Sequence, residues 1–316
     1  MRTAFVDTLT AHAERDLSLF LLTADLGFSV LERFQDACPD RFLNVGIAEQ
    51  NMIGVAAGLA HSGFTVFAYS LVNFATLRCF EQIRNDVCNH DLPVRIVGVG
   101  GGMVYSTQGY THHGLEDIGV MRTLPGMIVL APGDPHEAAE ATRLLCTDRR
   151  PAYLRLGKSG ERRIHAPSVK FEIGRAITVA EGRDCTLIST GGMLAYTLEI
   201  ADRLRADHSV HARVLSMHTI KPIDVDAVTA AVRETGAVIT VEEHSVASGL
   251  GSVVGDLIAT QGLGPVAFTK FGTPDGYRSG AGTHNHLRGL IGNLEEVVVG
   301  LLRRKGTRQR DARLLR

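Results

Sequence analysis

Short apolar runs alternate with longer amphipathic segments along most of this 316-residue chain, and this alternation constrains the fold more than any other sequence feature. In the first half, the apolar runs predict strands at residues 19–24, 65–68, 94–99, 127–130 and 152–155. The segments between them predict helices at residues 3–15, 47–61, 74–87, 115–122 and 135–146. Such alternation favours the α/β class, with a mostly parallel sheet covered by helices on both faces.

The second half repeats this organisation after an irregular stretch at residues 157–174, which reads GKSGERRIHAPSVKFEIG and is rich in charges, Gly and Pro. Strands are predicted at residues 186–189, 212–215, 237–242 and 265–271, and helices at residues 193–205, 224–235, 250–260 and 285–304. The length suffices for two domains that each bury a core. We therefore predict domains at residues 1–160 and 175–306, a linker at 161–174 and a basic tail at 307–316.

Composition argues against several classes of protein. The formal net charge is −1, so no broad basic field indicates nucleic-acid binding. The five cysteines are scattered without a CxxC pair, which favours reduced thiols over a disulfide framework. The amino terminus does not resemble a signal peptide, and the apolar runs are too short to span a membrane. These features predict a cytoplasmic protein that binds neither nucleic acid nor membrane.

The most informative stretch is residues 44–60, NVGIAEQNMIGVAAGLA, because its helical part is rich in Gly and Ala. Glycine within a helix costs about 1 kcal/mol relative to alanine. A helix that tolerates this cost at Gly54 and Gly58 is expected to pack its backbone closely against another element. Glu49 lies in the first turn, where spacing alone favours the ordinary role of complementing the helix dipole.

Six motifs in order along the chain give the stretch a more specific meaning. The run GIAEQNMIGVAAGLA resembles the segment around the cofactor-binding glutamate of the transketolase family. The remaining matches are TADLGFS (23–29), FEQIRND (80–86), THHGLEDIGVMRTLPGMIVLAPGDP (111–135), YLRLG (153–157) and EEHSVASGLGS (242–252). The resemblance covers essentially the whole chain. It implies a thiamine-diphosphate-binding fold, with a parallel-sheet pyrimidine-binding domain followed by a smaller α/β carboxy-terminal domain.

The resemblance also implies roles around the cofactor, thiamine diphosphate. Glu49 is expected to hydrogen-bond a ring nitrogen of the aminopyrimidine, and Phe74 to pack against that ring, although a buried Phe can equally be ordinary core. Leu71 and Leu77 stand where larger transketolases often carry aromatic residues. The predicted pyrimidine pocket is therefore more aliphatic than in those enzymes.

Substrate-binding residues are implied in the same way. Arg2, Ser29 and Arg155 match positions that hold the sugar phosphate, a task for which the guanidinium fork is well suited. His112 matches the histidine that contacts substrate hydroxyls. The residues themselves leave plainer alternatives open: Arg2 at a frayed terminus, Ser29 as a helix cap, Arg155 as a surface arginine and His112 as a structural loop residue.

The substrate side departs from the family pattern. Gly100 stands where a phosphate-side histidine is usual, and Gln108 where an Asp usually binds a donor hydroxyl. His113 replaces a frequent Gln, and the pair His112 and His113 lacks the partners of a zinc site. We therefore predict no metal ligand in this chain. The substrate is expected to be either an unusual or modified ketose phosphate or a donor without the usual hydroxyl pattern.

The chain lacks the GDG motif, followed further along by Asn, that holds the metal and diphosphate in this family. The nearest string is Gly133-Asp134-Pro135, whose proline is unsuitable. The resemblance thus implies a separate amino-terminal partner subunit that supplies the diphosphate site and the ligands of Mg²⁺. An α2β2 heterotetramer with active sites between chains is the predicted assembly.

The predicted function is transfer of a two-carbon ketol unit from a ketose phosphate to an aldehyde acceptor, in the presence of the partner subunit. Two alternatives remain at this point. One is the beta subunit of the decarboxylating component of a 2-oxo-acid dehydrogenase, and the other is a non-catalytic regulatory homologue. Deoxyxylulose-phosphate synthase is a further relative, but it is ordinarily a single longer chain.

Overall fold

A computed structural model describes residues 1–158, 160–276 and 280–314, with side chains described as far as residue 306. In the first half the described strands are β1 Leu19–Thr23, β2 Phe42–Asn44, β3 Thr65–Leu71, β4 Val94–Val99, β5 Ile128–Leu130 and β6 Ala152–Leu156. The helices among them are α1 Arg2–Ala13, α2 Glu32–Ala37, α3 Glu49–His61, α4 Val72–Thr76, α5 Phe80–Gln82, α6 Asp117–Met121 and α7 Pro135–Thr147.

The second half of the described chain repeats the alternation. Its strands are β7 Ile177–Ala180, β8 Cys185–Ser189, β9 Ala212–Ser216, β10 Thr219–Lys221, β11 Ala237–Ser245 and β12 Ala267–Thr273. Its helices are α8 Leu194–His208, α9 Val225–Thr235, α10 Leu250–Thr260, α11 His284–Gly289 and α12 Leu294–Leu314. The last of these extends into the segment predicted to be a basic tail.

The strands of the described residues form two sheets. The first has the order β10-β5-β6-β4-β3-β1-β2 and is parallel except for the antiparallel pairing of β10 with β5. The second has the order β12-β11-β8-β9-β7 and is parallel except for β7 against β9. The sequence did not predict β10, a strand from the second half that extends the first sheet and so joins the two halves.

Both faces of the first sheet are covered, as its continuous apolar strands require. Along β3, Val66 and Ala68 belong to one apolar cluster, while Phe67 and Tyr69 belong to another on the opposite face. The prediction of a mostly parallel α/β fold is confirmed. Helix α7 begins where the side chain of Asp134 accepts a hydrogen bond from the backbone N–H of Glu137 at 2.8 Å, with Pro135 in the first turn.

The predicted continuous helix at residues 74–87 is wrong. Helix α4 ends at Thr76, α5 begins at Phe80, and the chain then continues as a π-helical turn, Ile83–Cys88. Competing hydrogen bonds mark the break: the thiol of Cys79 donates to the carbonyl of Phe74 at 3.2 Å. The predicted helix at residues 285–304 is likewise divided, into α11 and α12. Breaks of this kind depend on tertiary contacts, which periodicity does not reveal.

Candidate active site

Helix α3 carries Glu49 at its first position, whereas the sequence predicted a helix that begins at residue 47 and has Glu49 in its first turn. The residue is only 5% exposed, so its carboxylate lies almost entirely within the protein. One carboxylate oxygen, Oε2, lies 3.1 Å from Nη1 of Arg78, which donates a hydrogen bond and forms an ion pair. The neighbouring Cys79 is buried as well, and this burial raises the pKa of its thiol to about 12. The site therefore contains a buried carboxylate paired with one cation.

Phe74 and His112 lie next to each other, near the arginine of that ion pair. Their ring centroids are 5.5 Å apart in an edge-to-face arrangement. The amide of Asn73 holds the histidine loop in place by donating to the carbonyl of His113 at 2.7 Å and to that of Thr111 at 3.3 Å. The structure thus brings together two predicted site residues that are distant in the sequence.

Arg78 connects Glu49 with Phe74, and sequence reasoning missed it. Its guanidinium carbon lies 3.8 Å from the centroid of the Phe74 ring, a cation–π contact. The break after α4 exposes the Arg78 carbonyl, which accepts a hydrogen bond from Nε2 of Gln50 at 2.9 Å. The predicted helix at residues 74–87 would have placed Phe74 and Arg78 on one face, but α4 ends at Thr76, so their contact depends on the turn that follows it.

A cavity of about 670 Å³ opens beside these residues. It lies between the two halves of the chain, because the last residues of β11 and β12, together with the three residues after β12, form one wall. Its lining includes Asn73, Phe74, Leu77, Arg78, Tyr110, Thr111, Leu115, Glu116, Ser245, Thr273, Pro274, Asp275 and Gly276. Leu77 is partly exposed there, whereas Leu71 is 2% exposed and lies behind the site as the residue preceding α4.

Arg155 lies within a buried network. Its Nε donates to Oδ2 of Asp117 at 2.7 Å, and the hydroxyl of Tyr153 donates to the same oxygen at 2.6 Å. Its Nη2 also donates to the carbonyls of Gly114 at 2.7 Å and Glu243 at 3.1 Å. Burial raises the pKa of Tyr153 well above its ordinary value. Arg155 therefore joins the first sheet to β11, and at 5% exposure it is not a surface arginine.

Arg2 and Ser29, the other residues predicted to bind an anion, each have their own hydrogen-bond partners. The Nε of Arg2 donates to the carbonyl of Lys158. Ser29 is exposed with a φ of 62°, and its backbone N–H donates to Oε1 of Glu32 at 2.7 Å. None of the hydrogen bonds found among the described residues joins Arg2, Ser29 and Arg155 to one another.

The positions at which the sequence departs from the family pattern have clear structural settings. Gly100 has a φ of 87°, and a β-carbon there would lie 2.2 Å from Cε2 of Tyr105, so the Tyr105 ring excludes any larger side chain. Gln108 is exposed at the end of the 3₁₀ turn Ser106–Gln108. His113 is fully buried, neither ring nitrogen has a hydrogen-bond partner within the described residues, and burial lowers its pKa.

One face of α3 is open to solvent next to Glu49. A β-carbon added at Gly54 or Gly58 would meet no atom of the described chain within 4 Å. The exposed apolar side chains of Ile47 and Leu77, at 79% and 42% exposure, border this region. The glycines of this helix therefore do not serve close packing within the chain itself.

Membrane-spanning helices and metal clusters are both absent from the described part of the chain. No helix there is long and apolar enough to cross a membrane. The same residues contain no group of three or more His, Cys, Asp or Glu side chains that could hold a metal ion.

Comparison of the chain with known proteins identifies the family to which it belongs. Residues 1–162 match the family model described as transketolase, pyrimidine binding domain, and residues 174–291 match transketolase, C-terminal domain. The chain belongs to the transketolase family. One of the subunits of apulose-4-phosphate transketolase from Phocaeicola vulgatus is 38% identical over 87% of each chain.

Two further relatives span nearly the same length. The 6-deoxy-6-sulfo-D-fructose transketolase subunit SqwH from Clostridium sp. is 36% identical over 95% of this chain and 92% of its own. A solved structure described as a split gene transketolase, inactive beta4 tetramer, has a TM-score of 0.86 and 36% identity, and the match covers 96% and 97% of the two chains. The predicted family and fold are confirmed, and the chain corresponds to one subunit of a split transketolase.

Family membership implies dependence on thiamine diphosphate, and the residues present fit part of that cofactor. A buried carboxylate beside an aromatic face suits a flat, nitrogen-containing ring such as the aminopyrimidine. The chain therefore fits the pyrimidine half of the cofactor.

Proposed function

We propose that this chain is the carboxy-terminal subunit of a split transketolase that moves a two-carbon ketol unit from a ketose phosphate to an aldehyde acceptor. The observation that carries the proposal is the buried carboxylate of Glu49, which is linked through Arg78 to Phe74, the aromatic ring that contacts His112 and lines the cavity between the two halves. Transferase activity requires the amino-terminal partner subunit.

Each residue of this chain has a distinct task in the proposal. Glu49 accepts or shares a proton at a pyrimidine ring nitrogen, and Phe74 orients that ring by packing against its face, with Leu71 supporting the pocket from behind. His112 donates a hydrogen bond to a substrate hydroxyl. When bound, thiamine diphosphate supplies the nucleophilic carbon that ketol transfer requires.

Arg2, Ser29, Arg155 and Gln108 belong to the substrate side of the proposal. The first three hold an anionic group of the substrate, and Gln108 replaces an acidic contact with a neutral amide. Support for substrate contact differs among these residues. The guanidinium of Arg155 already donates a hydrogen bond to Asp117. The side chain of Gln108 is exposed and has no hydrogen-bond partner among the described residues. The relatives named for apulose-4-phosphate and 6-deoxy-6-sulfo-D-fructose favour an anionic, modified ketose as the donor.

The partner subunit would bind at the open face of α3. Gly54 and Gly58 leave this helix backbone accessible, and exposed Ile47 and Leu77 lie beside it. This surface explains why the helix tolerates two costly glycines: they allow close approach of another chain. The partner also supplies the diphosphate site and the ligands of Mg²⁺, in an α2β2 heterotetramer.

The remaining parts of the proposal concern organisation and location. We assign residues 1–160 to the pyrimidine-binding domain, 161–174 to a linker, 175–306 to the carboxy-terminal domain and 307–316 to a basic tail. The two family matches, at residues 1–162 and 174–291, support this division. Cysteines without disulfide bonds support a cytoplasmic location.

Calorimetric titration with thiamine diphosphate and Mg²⁺ tests the proposal. We expect no binding by the chain alone, binding after it is mixed with the amino-terminal subunit, and loss of that binding in Glu49→Gln. The matched control is Glu81→Gln, because Glu81 is exposed on α5. Tight binding by the chain alone, or an unchanged affinity in Glu49→Gln, would contradict the proposed division of the site.

A further inference from the structure

A single side chain, Arg78, makes both contacts that the proposed roles of Glu49 and Phe74 assign to the cofactor ring. Its guanidinium lies 3.8 Å from the Phe74 centroid, and its Nη1 donates to Glu49 Oε2 at 3.1 Å. The arginine side chain is 48% exposed, whereas that of Glu49 is 6% exposed. The buried acceptor is thus covered by a group that reaches it from the solvent side.

The two planar groups are chemically alike. A guanidinium is a flat arrangement of nitrogens around carbon that stacks on aromatic rings and donates N–H bonds to carboxylates. A protonated or amino-substituted pyrimidine has the same N–C–N edge, the same flat face and the same preference for a carboxylate acceptor. Two flat groups cannot occupy one face of Phe74 at once, so the contacts are mutually exclusive.

The backbone of Arg78 is anchored by a hydrogen bond, while its side chain is half exposed. Gln50 of α3 donates to the Arg78 carbonyl at 2.9 Å, which anchors the residue beside the helix that carries Glu49. The side chain also lines the cavity of about 670 Å³, whose wall contains the carboxylates of Glu116 and Asp275. A guanidinium that leaves Phe74 therefore has acidic side chains in the same cavity toward which to turn.

We propose that Arg78 is an internal substitute for the aminopyrimidine, which closes the cofactor site in the free subunit and must be displaced when thiamine diphosphate binds. This inference rests on the roles proposed above for Glu49 and Phe74. In the free subunit the contact has a physical purpose, because a buried carboxylate without a partner is strongly unfavourable. In the assembled enzyme it opposes cofactor binding.

The test is calorimetric titration of thiamine diphosphate, at saturating Mg²⁺, into the complex of this chain with its amino-terminal subunit. Arg78→Ala eliminates one cation–π contact and one half-exposed ion pair, both of which must otherwise be broken before the cofactor binds. We therefore expect the dissociation constant of thiamine diphosphate to fall roughly threefold to thirtyfold in this variant. Arg84→Ala is the matched control, because Arg84 is an exposed arginine on the following π-helical turn that contacts Asn85 instead. We expect this control to leave the dissociation constant unchanged.

A second measurement uses the free subunit and avoids any dependence on assembly. Saturation-transfer NMR should detect binding of 4-amino-5-hydroxymethyl-2-methylpyrimidine to Arg78→Ala more strongly than to the unsubstituted chain. Equal or weaker binding by Arg78→Ala in both experiments overturns the inference, and weaker cofactor binding would place Arg78 in contact with bound cofactor. If Glu49→Gln abolishes thiamine diphosphate binding while Arg78→Ala leaves the affinity unchanged, Arg78 does not act as a substitute for the ring, and the proposed function still holds. Absence of binding by the unsubstituted complex would refute both.

Discussion

Removal of Asp117 tests whether Arg155 holds the two halves of the chain together. Asp117 is fully buried and accepts hydrogen bonds from Arg155 Nε at 2.7 Å and from the Tyr153 hydroxyl at 2.6 Å. Arg155 in turn donates to the carbonyl of Glu243 on β11. The substitution Asp117→Ala therefore leaves a buried guanidinium without its counter-charge and a buried hydroxyl without its acceptor.

The magnitude follows from the burial of both partners. Breaking a buried ion pair by removing one member costs about 3–5 kcal/mol, because the other charge remains desolvated. Replacing both members by apolar groups is far less costly. We therefore expect Asp117→Ala to lower the free energy of unfolding by about 3–5 kcal/mol, and the double variant with Arg155→Met to show a coupling energy of about 2 kcal/mol.

Urea unfolding followed by far-ultraviolet circular dichroism is the appropriate assay, because the chain contains no Trp for fluorescence. A loss below about 1 kcal/mol in Asp117→Ala, or strictly additive effects in the double variant, would refute the structural role. The assay also separates two functions of Arg155. A purely structural arginine changes stability when replaced, whereas one that binds substrate raises KM for a phosphorylated donor relative to its unphosphorylated analogue.

Three further predictions follow from burial and close packing. Burial lowers the pKa of His218 from its ordinary 6.5 to about 3. Above pH 6.5 the imidazole is neutral in both the folded and the unfolded chain. Below pH 6.5 only the unfolded chain binds the proton, so the free energy of unfolding decreases as the pH falls. We expect His218→Phe to reduce the loss of stability between pH 7 and pH 5 by about 2 kcal/mol in thermal or urea unfolding, and an identical pH profile would contradict this. A β-carbon at Gly249 would lie 1.9 Å from Oε2 of Glu242, so Gly249→Ala should destabilise the chain by about 1–3 kcal/mol, unlike Gly192→Ala, where no atom lies within 4 Å. Gly58→Leu should abolish complex formation with the amino-terminal subunit in light scattering, with the free chain remaining folded, and normal assembly would argue against the proposed interface.

The cofactor side of this chain was predictable because its information is local. The alternation of segments predicted a helix at residues 47–61 with Glu49 in its first turn, and α3 begins at Glu49. Strand β4 was predicted to the residue, since a continuous buried apolar run leaves few alternatives. The contact between Phe74 and His112 could not be predicted from local sequence, because it depends on how the loop held by Asn73 folds back on α4. Only the resemblance to a known family indicated that those two residues belong together.

The substrate side was less predictable because several chain segments build it at once. Gly100 marked the absence of a histidine, but nothing in the sequence explained that absence. In the structure the ring of Tyr105 occupies the space that a side chain at this position would need, and Nζ of Lys158 lies 5.4 Å from the centroid of that ring. The glycine at position 100 and the ring of Tyr105 therefore depend on each other, because a histidine at position 100 requires Tyr105 to move. Gly100→His alone should thus impair folding rather than restore a phosphate contact, which means that specificity at this end of the site changes through groups of residues and not through single positions.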